Sequence, residues 1–456
     1  MPSIPLPSAA LGAIRRFASL RPADFVTLFA EPGDEGAAAA FKWYLILTPV
    51  LWALGLLIPV GFLLILWLVA WRWPDGGLIN LVVAAWLLVA LTQGAAVVWN
   101  WSLTDESVLA LPRRLISFAI TGWLLLGIIV GVGYAYDLAR ASLVRPLMIL
   151  GLYILLFTII SLPLASVFGL ESVSFSTPMR MLLGDSPSAD FYTSAMIFHR
   201  EATLGMNLPR LVLFYPWPTA LGLAGIAIFL ISFREEHRWW RLAGMAGGLC
   251  AAVFSLSRAA WVALPVAWLV LFCLRAKPVS KALTAMAASL IGLGFVVADV
   301  SPADLVKQAS VSFAEARSGS SMARDLIYEH SWKGFLSSPL FGKGWIGESI
   351  IAEENLPVGS HSSVYGTLYT GGLLTFGAMA LATALTLSAL LYRTLQGSPM
   401  AAPALAVMCA LTLFAYGESL FSLVLPCMFL FLYTGGALRG AAAIEISSRK
   451  VQWNPL

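Results

Sequence analysis

The chain has 456 residues, of which 59% are hydrophobic and only 11% charged, with a formal net charge of +4 and a mean hydropathy of +0.84. A soluble protein of this size carries about 25% charged residues, whereas here apolar runs of roughly 20 residues, long enough to cross a bilayer core as a helix, recur throughout. The composition excludes a soluble globular enzyme and points to an all-α polytopic membrane protein. Its basic residues are spread over short loops, which leaves no stripe for nucleic acid.

Residues 1–42 set Arg15, Arg16 and Arg21 among Leu11, Ile14, Phe17 and Leu20 at helical spacing. Either a short interfacial helix on the cytoplasmic surface or a basic tail fits this pattern. The first apolar run starts near Trp43, too late for a cleavable signal. From there about twelve spans are expected, over about 43–57, 59–72, 78–99, 115–136, 145–168, 211–233, 238–256, 259–275, 280–298, 362–392, 400–416 and 418–437. The first two could form one long helix from Trp43 to Trp73, but Pro49, Pro59 and Arg72 favour a returning pair. With both termini inside, most of the basic residues fall on the cytoplasmic side, among them Arg72, Arg145, Arg234, Arg275, Arg393 and Arg439, as the positive-inside rule requires.

This topology gives a transmembrane domain over 43–437 and a cytoplasmic tail over 438–456. Two long segments, 169–210 and 300–361, face the periplasmic or extracellular side, and the second carries short helices. Cys250, Cys273, Cys409 and Cys427 all lie in apolar runs without CxxC spacing and read as buried small hydrophobes.

Almost no ionisable residue falls in the middle of a predicted span, which argues against a proton-coupled transporter. Charges gather instead at outer span ends. Arg258, in SLSRAAW, sits at a tight outer turn where positive-inside statistics disfavour arginine. It is either an anion ligand, since a guanidinium clamps phosphate bidentately, or a snorkelling interfacial arginine. Arg210, in NLPRLVLFYPWPTALG, immediately precedes a span, and Phe214, Tyr215 and Trp217 beside it fit an interfacial aromatic belt. Arg324 is expected on a helix through MARDLIYEHSWKGFL, free to bind an anion or to pair with Asp325, Glu329 or a neighbouring carboxylate. Glu418 lies just before the last span.

His361 follows the Pro/Gly turn ENLPVGS and precedes an apolar run. That places it at an outer helix N-terminus, where exposed N–H groups favour anions and lower a histidine's pKa. A neutral imidazole is what a general base requires; the alternative is a solvated loop histidine. His237 falls in a cytoplasmic loop, while His199 and His330 are outside. No HxxxH or His/Cys/carboxylate cluster occurs at ligand spacing, so no protein-bound catalytic metal and no cofactor are expected.

Several of these segments, taken in order, resemble the family of O-antigen ligases and related Wzy-type polysaccharide polymerases. They are WNWSLTDESVLALPRRL, RLVLFYPWPTALGLAG, SLSRAAWVAL, and RDLIYEHSWKGFLSSPLFGKG followed by SHSSVYGTLYTGGLL. The resemblance implies a C-type (GT-C) glycosyltransferase in the bacterial inner membrane. Its donor would be an undecaprenyl-pyrophosphate-linked glycan, and its acceptor a hydroxyl on lipid A core or on another glycan. It further implies that Arg258 and Arg324, with Arg210, bind the pyrophosphate, and that His361 serves as base or orienter. Glu418 matches an acidic position without an implied role. A ligase and a polymerase share this chemistry; a lipid-linked glycan flippase is the rival from another class, and would require a charged central pathway.

Overall fold

The computed structural model describes residues 34–73, 78–138, 141–184, 193–203, 206–275, 286, 318–350 and 357–439. The chain is mostly helical. Its helices are α1 (Asp34–Ile46), α2 (Thr48–Leu54), α3 (Leu57–Trp71), α4 (Leu78–Trp101), α5 (Ala110–Leu115), a π-helical stretch (Ile116–Leu124), α6 (Leu125–Ala135), α7 (Ala141–Phe168), α8 (Pro178–Leu183), α9 (Pro218–Ser232), α10 (Arg238–Phe254), α11 (Arg258–Arg275), α12 (Ser318–Ser337), α13 (Ser363–Leu395), α14 (Ala401–Gly417), α15 (Leu420–Leu423) and α16 (Met428–Leu438).

Among the described residues, five helical stretches are long and apolar enough to cross a membrane: Ile79–Trp101, Ala110–Ala135, Leu143–Phe168, Arg258–Arg275 and Ser363–Leu395. A sixth arises if α1 and α2, bent by 64°, count as one broken span. α3, α9, α14 and α16 are apolar but shorter. The helix expected from residue 211 begins only at Pro218, because Leu211 ends a strand and Leu213 turns with φ 52°. The last expected span is interrupted between Leu423 and Met428, where Pro426 cannot continue a helix. The span expected over 280–298, apart from Met286, lies outside the described residues, as do residues 1–33 of the N-terminal segment and 440–456 of the tail.

Residues 43–73 form a hairpin rather than one helix. Gly55 turns with φ 74° after α2 and abuts Thr177 and Thr193 of the segment that follows α7. Arg72, at the end of α3, reaches the opposite end of the bundle, donating to Ala135 O at 3.4 Å. Arg439 donates to the same carbonyl at 3.2 Å, and Arg393 donates to Leu438 O at 2.9 Å. Cations thus meet the otherwise unpaired carbonyls at the C-termini of α6 and α16.

The expectation of an all-α chain needs one correction. Ser172–Phe175, Ala195–Thr203 and Met206–Leu211 form β1, β2 and β3 of a three-stranded antiparallel sheet in the order β1-β2-β3. Two such strands next to one another gain ladder hydrogen bonds that a solvent-facing loop of this length would leave to water.

α9 is the central helix: every residue but Phe229 is buried, as expected of a helix apolar all round. Glycines let it and its neighbours close. A Cβ on Gly225 would lie 2.6 Å from Gly248 O on α10, and one on Gly247 would lie 1.8 Å from Gly151 O on α7. Small residues at helix contacts are how helices pack closely where lipid removes the hydrophobic drive. Phe214 and Tyr215 are buried as well, with Phe214 edge-on to Trp52 and Phe157. They belong to the core and not to an interfacial belt. Of the cysteines, Cys427 is buried but Cys273 is exposed on α11, contrary to expectation.

Candidate active site

Opposite the end marked by Arg72, Arg393 and Arg439, three turns deliver charged side chains to one region. Each contains a non-glycine residue with positive φ: Leu213 (52°) before α9, Leu256 (47°) before α11 and His361 (59°) before α13. Such conformations cost of order 1–3 kcal/mol each and collect at functional sites, where the surroundings hold them.

Arg210 is on β3, opposite His199 of β2. Its Nη1 pairs with Glu201 Oε2 at 2.5 Å and its Nε donates to Ser255 O at 2.9 Å. That second bond ties the strand to the SLSRAAW turn. Ser257 caps α11, accepting from Ala260 N at 3.4 Å, so Arg258 occupies its first turn. Beneath the turn lies Gly222 of α9, where a Cβ would come within 2.8 Å of Ser255 Oγ and 2.9 Å of Ala260 Cβ. The Leu-Gly of one motif is therefore the seat of the next. Arg258 lies within electrostatic reach of Arg210, Arg324, Asp325 and Tyr328.

Arg324 is on α12, as expected, but its ion pair is with neither Asp325 nor Glu329. Its Nη2 meets Glu418 Oε1 at 3.0 Å, while Glu329 pairs with Lys333. Glu418 occupies the break between α14 and α15 and also bonds the buried Thr219 at the start of α9. Glu418, without an implied role from the sequence, is thus the ion-pair partner of Arg324. Arg210 feels both Glu418 and Arg324; burial, opposed by Glu418 and aided by Arg324, pushes its pKa down to about 10, so it remains charged near neutrality.

His361 directly precedes Ser362, whose Oγ caps α13 by accepting from Tyr365 N at 3.2 Å. Several bonds fix this corner. Ser363 donates through N and Oγ to Glu418 O at 2.9 and 2.8 Å, and its Oγ accepts from Leu420 N at 2.7 Å. Tyr328 OH lies 3.3 Å from His361 O and 3.4 Å from Tyr416 O, with its ring stacked 4.7 Å from Tyr365. Burial and then the nearby Arg324 hold the His361 imidazole below its usual pKa. It is therefore neutral near pH 7, the state a base needs.

Behind this corner α13 is broken at Gly372 (φ 66°, ψ −164°). The freed carbonyls of Tyr369 and Thr370 accept from Lys343 N at 2.7 Å and Gly344 N at 2.8 Å, and Leu373 N donates to Pro339 O at 2.8 Å. The turn Pro339–Gly344 is thus threaded into the break made by the glycine pair. α4 holds it from the other side: Gln93 Nε2 donates to Gly344 O at 3.0 Å, Asn100 Nδ2 donates to Gly342 O at 3.2 Å, and Trp99 stacks on Phe341. Arg114, paired with Glu106, lies 3.5 Å over the Trp345 ring. The early WNWSLTDES segment and the late PLFGKGW turn form one packed unit.

Arg210, Arg258, Arg324, His361 and Glu418 are accordingly drawn from β3, α11, α12, the α13 cap and the α14–α15 break into one cluster. His199 sits 3.6 Å from Glu201 at its edge, while His330 bonds its own helix at Leu326 O. Sequence reasoning missed Glu201, Thr219, Tyr328, Ser360 and Gln93. A buried glutamine within an apolar span was the one available signal, since it must find partners. Among the described residues no group of three or more His, Cys, Asp or Glu side chains gathers as a metal site.

A comparison with curated proteins finds no match. Residues 243–376, which contain Arg258, Arg324 and His361 but neither Arg210 nor Glu418, match the family model for O-antigen ligase, in agreement with the resemblance carried by the ordered motifs.

Proposed function

We propose that this chain is an inner-membrane glycosyltransferase of the C type, which transfers an undecaprenyl-pyrophosphate-linked glycan to an acceptor hydroxyl on the periplasmic face. The observation that carries this reading is the clustering of Arg210, Arg258 and Arg324 at one end of an apolar helix bundle, with Arg324 also beside the neutral His361. The transmembrane domain over 43–437 supplies the groove for the polyprenyl chain, and the sugars lie on the side of the arginine cluster, beside β2, β3 and α12.

The acceptor oxygen attacks the anomeric carbon while the carbon–oxygen bond to pyrophosphate breaks. His361 takes the hydroxyl proton, and the electron pair leaves on undecaprenyl pyrophosphate. The guanidinium groups of Arg258, Arg324 and Arg210 meet the charge that develops there, with Arg324 held in advance by Glu418 and Arg210 by Glu201 and Ser255 O. Preorganised cations of this kind supply the charge stabilisation that a metal gives in other transferases. A single displacement inverts the anomeric configuration. The donor is already activated, so no ATP and no cofactor enter.

The ligase form places the glycan on lipid A core; the polymerase form places it on the end of another lipid-linked repeat. Both forms share the family match and the arginine–histidine cluster, and the acceptor offered in the assay separates them. The test uses purified protein with an undecaprenyl-pyrophosphate glycan, offered either with lipid A core or alone. Product on the core supports the ligase, and a lengthened lipid-linked glycan supports the polymerase. Absence of transfer under both conditions, with donor moved across a vesicle membrane, would establish the flippase instead.

A further inference from the structure

Two contacts around Ser360 constrain where the His361 proton sits. Ser360 Oγ is 2.6 Å from Pro357 O and 2.6 Å from His361 Nδ1. A carbonyl oxygen cannot donate, and a serine hydroxyl has one proton. If that proton pointed to Nδ1, the Oγ lone pairs would face the Pro357 carbonyl at 2.6 Å, which is repulsive. If it points to Pro357 O, the hydroxyl oxygen is free to accept from Nδ1–H, and both short contacts become attractive. Only the second arrangement satisfies both distances. Pro357 is itself fixed, since Ser360 N donates to the same carbonyl at 3.2 Å. Gly359 N is held by the buried Ser331 Oγ at 2.9 Å, which anchors the turn to α12.

We infer that Ser360 is a positioning residue that keeps His361 in the Nδ1–H tautomer, leaving a bare Nε2 lone pair to accept the proton of the attacking hydroxyl. The inference rests on the reading of His361 as the base. Nε2 makes no hydrogen bond to the described residues, as a nitrogen awaiting a substrate proton requires. A hydroxyl here does the work that a carbonyl or carboxylate does for other catalytic histidines. It adds no negative charge beside the pyrophosphate site. The turn that places Ser360 is the same Pro/Gly turn that gives His361 its positive φ, so tautomer and orientation are set together.

The experiment compares wild type, Ser360→Ala, Ser360→Thr and His361→Ala of the full chain in nanodiscs. It reads steady-state transfer and the imidazole nitrogen resonances of histidine-¹⁵N-labelled protein, with His361→Ala identifying the signal. The expected wild-type signal is a protonated Nδ1 and a bare Nε2. Ser360→Ala mixes the tautomers and lowers kcat roughly tenfold, the worth of one hydrogen bond, with KM unchanged; Ser360→Thr restores both readouts. A protonated Nε2 in the wild type overturns the inference, and so does a Ser360→Ala variant with wild-type kcat. Full activity in His361→Ala overturns the base reading itself, and the inference with it. Loss of activity in His361→Ala beside an unaffected Ser360→Ala removes the inference alone.

Discussion

Arg324 and Glu418 lie 94 positions apart and meet at 3.0 Å in a pair whose carboxylate is almost wholly buried. The pair joins α12, which arises in the long polar segment, to the break between α14 and α15. Glu418 also holds Ser363 through its carbonyl. One residue therefore orients a candidate phosphate ligand and anchors the helix that carries His361.

Removing one member of this pair leaves the other buried and uncompensated, which costs about 3–5 kcal/mol for a fully buried pair and less for the partly exposed Arg324. Glu418→Gln, Arg324→Gln and the double variant should accordingly show coupling of about 1–3 kcal/mol in a thermal or denaturant cycle. Additive losses would mean that the two side chains act independently.

The His361 pKa is lowered by burial and by Arg324. Transfer rates should rise with pH along an acid limb centred below 6.5, the reference value of histidine, and plateau once the imidazole is neutral. Arg324→Gln removes a repelling charge, so its limb should move to higher pH, apart from any drop in rate. The same shift has a stability sign: the unfolded state binds the proton more readily, so this contribution is present above pH 6.5 and is lost as pH falls through the folded pKa. A limb that moves to lower pH in Arg324→Gln would contradict the electrostatic assignment.

Gly372 has φ 66°, and a Cβ there would lie 2.3 Å from Leu340 O. Gly372→Ala should push the Pro339–Gly344 turn out of the α13 break and destabilise the protein by about 2 kcal/mol or more, through strain and lost backbone bonds. Gly377→Ala is the control, because no atom lies within 4 Å of the added methyl. Equal melting temperatures for the two variants would refute the threaded turn.

The sidedness of the site is open to labelling. Val108 (73% exposed) and Leu395 (77% exposed) lie at opposite ends of the bundle. In a cysteine-depleted background, a membrane-impermeant maleimide added to intact spheroplasts should label Val108→Cys and spare Leu395→Cys. The reverse pattern would put the arginine cluster in the cytoplasm.

Helices and their approximate order were legible because apolar runs of span length leave the backbone one way to satisfy itself in lipid. The arginines and His361 stood out for the same reason, as charges at span ends that composition alone does not explain. Partnership was not legible. Arg324 has carboxylates one and five positions away, and helical spacing favours local pairing, yet the pair forms with a residue that only the fold brings near. The β2–β3 hairpin is not legible because FHREAT lies in the long polar segment 169–210 and NLPRLV reads as the approach to a span. Ser360 was passed over because a serine beside a histidine acquires meaning only when the hydroxyl's second partner, Pro357 O, is known.

The most direct test is a single-turnover transfer assay on purified wild type, His361→Ala and Arg258→Ala, with an undecaprenyl-pyrophosphate glycan donor, a hydroxyl acceptor and EDTA. The account predicts product of inverted anomeric configuration from the wild type and a rate loss of about 10²–10⁴-fold in His361→Ala, the range of a general base, with a comparable loss in Arg258→Ala. Wild-type rates in either variant, or a wild type that EDTA silences, would contradict it.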